Sequence, residues 1–210
     1  MVLKVLAING SPHKEGCTYT AIRLLADELE KQNIEVEIIH IGTKPIRGCT
    51  ACNACFKMDD RKCIFNDDDI VNECIEKSKE VDGIIIGSPV HYSGIAGSMK
   101  SFLDRFFYAG AHLQYKVGVA VASLRRSGGV DTFHQLNNYF NLANVVITPS
   151  HYWNVIHGSN AQEVMQDKEG VQIMKTLGQN MAWLLKSLDN SKDKISLPEK
   201  EQRVWTNFIR

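Results

Sequence analysis

The chain has 210 residues, with 24 Lys and Arg against 24 Asp and Glu and a formal net charge of zero. Its 44 % hydrophobic and 23 % charged residues are ordinary for a globular protein, and at about 150 residues per domain the length allows one domain with an appendage. Charge balance argues against generic affinity for nucleic acid, and no apolar run nears the roughly 20 residues of a membrane span. The opening Met1-Val2-Leu3-Lys4-Val5 reads as a strand rather than a signal peptide, so a cytoplasmic location is expected.

Leu3 to Ile8 is an almost continuous apolar run broken by Asn9-Gly10-Ser11-Pro12, the pattern of a buried parallel strand entering a loop. Thr18 to Gln32 places Ala21, Ile22, Leu25 and Leu29 on one helical face, opposite Asp27, Glu28 and Lys31. Ile34 to His40 alternates as a second strand; Val81–Gly87, Val117–Ala122 and Val145–Thr148 supply three more. Helical stretches are expected near Asp68–Lys79, Ser98–Tyr108, Val130–Leu142 and Ala161–Leu188. This alternation predicts βαβ units and a parallel sheet with helices on both faces. Residues 1–188 are expected to form one domain, with a Cys-rich insertion at 42–66 and an irregular tail at 189–210 carrying Leu197, Trp205, Phe208 and Ile209.

In an open parallel sheet, ligands gather beyond the C-terminal strand ends. Three loops expected there have unusual composition. Gly10-Ser11-Pro12-His13-Lys14-Glu15-Gly16-Cys17-Thr18 leads from a strand into a helix, offering hydroxyls and free helix N–H groups to a phosphate. It lacks the Lys-Ser/Thr ending of a P-loop and the dinucleotide spacing, so a monophosphate suits it better than a triphosphate or pyrophosphate. Gly87-Ser88-Pro89-Val90-His91-Tyr92-Ser93-Gly94 offers a stiff turn and an aromatic pair to a flat ring. Ser123-Leu124-Arg125-Arg126-Ser127-Gly128-Gly129 is basic and ends in glycine. Together they outline a pocket for a flat heterocycle bearing a terminal phosphate.

These loops, with Lys100-Ser101-Phe102-Leu103-Asp104-Arg105 between them, resemble the flavodoxin-like NADPH-dependent FMN reductases and their multimeric quinone-reductase relatives over about residues 1–188. The resemblance implies an α/β, doubly wound, five-stranded parallel sheet of order 2-1-3-4-5 and bound FMN. It places Ser11, His13, Cys17 and Thr18 around the FMN phosphate. Pro89, Val90, His91, Tyr92 and Ser93 would edge the isoalloxazine, and Ser123, Arg126, Gly128 and Gly129 would close the other side. The family commonly has Arg at the position of His13 and Asn at that of Cys17, which points to weaker phosphate binding here. It also implies a homodimer or homotetramer, NAD(P)H as a possible co-substrate, and a quinone, flavin or other small-molecule electron acceptor.

Cys49, Cys52, Cys55 and Cys63 spell C-x2-C-x2-C-x7-C. Three close thiolates and one remote favour a [4Fe–4S] cluster over structural zinc, which ordinarily takes two separated pairs. A thiol-only or vestigial loop, zinc and a redox disulfide remain open on spacing alone. The motif resembles that of the iron–sulfur flavoproteins, a branch of the same family, and the resemblance implies a cluster near the flavin with ferredoxin as a possible partner. The last gap there is often shorter than seven. Asp67-Asp68-Asp69 is expected to complement the dipole of the following helix, and Cys74 to lie in the core.

Cys17 and Arg23 have the C-x5-R spacing of tyrosine phosphatases, but Arg23 falls a turn inside the helix, where it cannot cradle a phosphate. His40, His112, His134, His151 and His157 show no ligand spacing. With no acid–base dyad in view, the chemistry is expected to belong to the flavin. The competing expectation is a non-enzymatic electron carrier or thiol redox sensor with a cluster-free cysteine loop.

Overall fold

The run Val5–Ile8 is buried because parallel strands flank it on both edges and helices cover both faces. It lies in strand β1 (Lys4–Asn9) of a computed structural model that describes residues 2–66, 70–199, 201–202, 204–206 and 208. The expected roles of Asp67-Asp68-Asp69 and Ile209 lie outside the described residues. Helix α1 (Cys17–Glu30) leads to β2 (Glu35–His40); the cysteine loop and α2 (Val71–Lys77) lead to β3 (Gly83–His91). Next come β4 (Gly94–Ile95), α3 (Gly97–Tyr108), β5 (Val117–Leu124) and α4 (Gly129–Leu142). The chain closes with β6 (Val146–Ile147), β7 (Val155–His157), α5 (Ala161–Val164) and α6 (Lys168–Ser191).

The sheet order is β2-β1-β3-β5-β6, with β4 antiparallel to β3 and β7 parallel to β5. Counted by position among the parallel strands, this is the expected 2-1-3-4-5 arrangement. Two features raise the strand count to seven. The fifth position holds two short pieces: β6 pairs with Val117–Gly118 and β7 with Ala122–Leu124. Strand β3 also runs on through Ser88-Pro89 to His91, where a loop was expected, and returns as β4 after a turn at Tyr92-Ser93. Proline lacks an N–H but fits where a ladder is ending, and Pro89 pairs in register with Ser123 at the last rung with β5.

Side-chain alternation divides the core into two layers. Val5, Ala7, Ile85, Val119 and Val121 face α1 and α6, while Leu6, Ile8, Ile84, Ile86 and Ala120 face α2, α3 and α4. Edge strand β2 carries the charged Glu35 and Glu37, which discourages further strand pairing. The helix expected over 161–188 breaks at residues 165–167 because the Asp167 carboxylate caps α6, accepting from Gly170 N at 2.9 Å. Cys74 is fully buried, as expected. Beyond Ser191 the described tail residues form no helix or strand, and Leu197, Trp205 and Phe208 are exposed. Among the described residues no helix is long and apolar enough to cross a membrane.

Candidate functional site

Strands β1, β3 and β5 end side by side, and their loops enclose an open cleft of about 710 Å³, within the range of cofactor sites. Asn9, the last residue of β1, is fully buried and organises the first loop: its Oδ1 accepts from Ser11 N at 3.1 Å and its Nδ2 donates to Lys14 O at 2.9 Å. Ser11 Oγ then accepts from His13 N at 3.1 Å. His40, at the end of β2, holds the same loop through a 2.7 Å bond between Nε2 and Ser11 O. Gly10 is required by close approach, since a Cβ there would sit 2.6 Å from Met99 Cγ and 2.8 Å from Gly87 O.

The loop delivers the N-terminus of α1 to the cleft. Gly16 is the cap residue and offers no side-chain bond to the N–H groups of the first turn, and no acidic residue lies in that turn. The N–H groups of that turn therefore present positive potential to whatever occupies the cleft. Thr18 and Ser123, both buried, join the first and third loops through a 2.8 Å hydroxyl pair. Cys17 also lines the cleft; burial pushes its thiol above the usual range, and its Sγ donates to Gly158 O at 3.3 Å.

Of the residues expected at this site, Ser11, His13, Cys17, Thr18, Pro89, Val90, His91 and Ser123 line the cleft. Tyr92 and Ser93 do not. They form the two-residue turn between β3 and β4 at φ +51° and +57°, the left-handed pair of a tight hairpin, and Tyr92 is fully exposed. Gly128 sits against this turn at φ +88°, where a Cβ would lie 2.7 Å from Ser93 Oγ. Arg126, Gly128 and Gly129 line a neighbouring hollow of about 300 Å³ with Tyr152, Trp153 and His157. Its neighbour Arg125 faces the cleft instead. The segment 158–162 completes the rim and had no sequence signal, because the three-residue β7 that positions it is too short to read. Arg23 pairs with Asp27 and Glu30 on the outer face of α1, far from a phosphatase arrangement.

The second cluster lies along α3. Cys49, Cys52, Cys55 and Cys63 line one cavity with Phe65, Arg105 and Tyr108. All four are free thiols; Cys49 and Cys52 are exposed and Cys55 is buried. Burial pushes the Cys55 thiol up, against the nearby positive charge of Arg61, which favours the thiolate. Tyr108 Oη donates to Asn53 Oδ1 at 2.7 Å, and Ala51 N donates to Cys49 Sγ at 3.4 Å. Asn72 of α2 grips Cys63 from both sides, accepting from its N at 2.9 Å and donating to its O at 3.0 Å. Arg105 Nε donates to Cys63 Sγ at 3.2 Å. Among the described residues no three His, Cys, Asp or Glu side chains converge tightly enough to bind one metal ion. No residue lines both this cavity and the cleft.

The family model for NADPH-dependent FMN reductases matches residues 3–160. An iron-sulfur flavoprotein of Methanocaldococcus jannaschii is 33 % identical over 193 residues, covering 88 % of this chain and 98 % of that protein. An iron-sulfur flavoprotein of Methanosarcina thermophila is 25 % identical over 198 residues, covering 91 % of this chain and all of the other. Among solved structures, a flavodoxin from the domain Archaea superposes with a TM-score of 0.59 at 17 % identity, over 88 % of this chain and 99 % of that one. The flavodoxin-like sheet, the cleft at its strand ends and these matches together make the chain an FMN-dependent oxidoreductase belonging to the NADPH-dependent FMN reductase family, in its iron–sulfur flavoprotein branch.

Proposed function

We propose that the protein holds FMN in the cleft and a [4Fe–4S] cluster on the cysteine loop. It would take reducing equivalents from NAD(P)H or ferredoxin and deliver them to a quinone, a flavin or another small acceptor. The observation that carries the flavin site is the uncapped N-terminus of α1 opening onto the cleft. A phosphate dianion there takes the place of the missing cap. Ser11 and Thr18 add hydroxyl donors and His13 a ring N–H, with Arg125 joining Arg126 as the basic residues of the third loop. Pro89, Val90 and His91 on one side and Ser123, Leu124 and Arg125 on the other border the ring. When bound, FMN supplies hydride acceptance and one- or two-electron transfer. The chain's own residues anchor the phosphate, present loop N–H groups to the ring and leave one face open. Residues 1–188 act as one domain, with 42–66 as its cluster-bearing insertion.

The donor set suits a cluster. The four thiols border one cavity, and four thiolates are the ligand set of a [4Fe–4S] cluster, one for each iron. Exposed Tyr152, Trp153 and Trp183 support assembly into a homodimer or homotetramer.

Anaerobic purification followed by flavin, iron and sulfide analysis tests both halves. The expected result is about one flavin and four irons per chain, with cluster absorption bleached by dithionite. Stoichiometric zinc without iron removes the cluster, and a protein that binds no FMN removes the whole reading. If the loaded protein oxidises no NAD(P)H but accepts electrons from reduced ferredoxin, the donor is ferredoxin.

A further inference from the structure

Arg105 belongs to the third turn of α3 and is 1 % exposed, the largest fully buried side chain of the described residues. Its helix neighbours Phe102, Leu103 and Phe106 are buried apolar groups. A guanidinium in such surroundings is costly unless its fixed fork of donors is matched. Its Nη2 donates to Phe65 O at 2.7 Å and its Nη1 to Arg47 O at 3.5 Å. These carbonyls fix the plane of the group, and its Nε meets Cys63 Sγ at 3.2 Å. Cys63 is also held through its backbone by Asn72. The remote member of the cysteine set is thus anchored at both ends, and one anchor is a cation aimed at its sulfur.

We propose that Arg105 is a positioning residue that fixes Cys63 as a cluster ligand and, by donating to its sulfur, makes the cluster easier to reduce. This rests on the reading of the four cysteines as [4Fe–4S] ligands. Reduction brings in one electron from the external donor, breaks no bond of the chain and takes up no proton. The added charge spreads onto the ligand sulfurs, so a hydrogen bond and a positive charge at one of them stabilise the reduced state more than the oxidised one. Hydrogen bonding to the sulfurs, net charge and exposure are the protein's means of setting such potentials.

The test is a dye-mediated potentiometric titration of the holoprotein, followed by electron paramagnetic resonance. Arg105→Gln removes the charge and the guanidinium Nε–H, leaving only a shorter neutral amide; Arg105→Lys keeps the charge but not the fork. In Arg105→Gln matched to wild type in iron, sulfide and flavin, the equilibrium constant for cluster reduction should fall at least tenfold. For one electron that is about 59 mV more negative. Arg105→Lys should lie between the two, and the flavin potentials should not move. An iron-loaded Arg105→Gln protein with the wild-type cluster potential overturns the inference while leaving the cluster reading intact. Wild-type protein that contains no iron overturns the cluster reading instead. Should the variants fail to load, the wild-type holoprotein answers the question when labelled with 15N-arginine. Nitrogen hyperfine coupling to the reduced cluster supports the hydrogen bond, and its absence overturns it.

Discussion

In the cleft, each side chain is placed by a strand or helix that begins or ends within a few residues, whereas the cysteines hang on a segment with one 3-10 turn, Ala54–Lys57, as its regular structure. That segment keeps its shape by unusual backbone and by borrowed contacts. Ala51, Asn53 and Arg61 adopt positive φ, and Asn72, Arg105 and Tyr108 reach in from α2 and α3. Sites of the first kind are complete when the sheet has formed. The proposed cluster would add to the order of a loop of the second kind, because a metal bound only by the native loop contributes its binding energy to the fold. The two sites should therefore respond separately to the same perturbations.

The largest effect that could break this separation comes from the loop. Cys52→Ser should abolish iron incorporation while changing the FMN dissociation constant by less than about threefold, since cleft and cavity share no lining residue. Metal analysis beside a flavin fluorescence titration checks it, and a coupled loss of flavin would show that the sites are one unit. Stripping iron from the wild-type protein should likewise raise the rate of proteolysis within 42–66 and leave the melting of the sheet nearly unchanged.

The reciprocal change is smaller. Thr18→Val removes the 2.8 Å pair with Ser123 and a hydroxyl beside the α1 N-terminus, costing about 1.4 kcal/mol, or tenfold in FMN affinity. Iron content should not change. Unaltered flavin affinity in this variant would count against the first loop as the phosphate site.

How much of each region could be read in advance follows the same division. Continuous apolar runs such as Val5–Ile8 and Ile84–Ile86 marked central parallel strands because burial on both faces leaves no other pattern. The loops after them could then be assigned to one edge, and eight of the residues named for the cofactor line a single cleft. What escaped depends on register and long-range packing. Pro89 reads as the start of a loop, but the strand continues two residues past it, and β7 is three residues long. Cysteine spacing identified the loop, but its anchors come from elements that only the tertiary fold brings near. Arg105 did leave a trace: it lies three residues from Phe102 on the apolar face of α3, where a cation needs a reason.

The smallest expected effect tests whether the rim of the cleft is as firm as the strands beneath it. Asp167 ties β7 to α6, accepting from His157 N at 2.7 Å and Gly170 N at 2.9 Å, with the His157 ring at 3.1 Å. Burial raises this carboxyl, but the two backbone donors and the ring outweigh it and leave the group below its usual range. A carboxyl depressed on folding stabilises the protein fully above its unfolded pKa of about 3.9, and that contribution fades as pH falls through the lower folded value. Asp167→Asn keeps an amide oxygen as a cap but loses the charge, so it should cost about 1 kcal/mol at neutral pH. The gap to wild type should close as pH drops below about 4. Denaturant melts at the two pH values measure both arms. Because α6 begins at this cap and segment 158–162 precedes it, the same variant should weaken FMN binding by no more than about twofold; a larger loss would mean that the rim is held mainly by this one carboxylate.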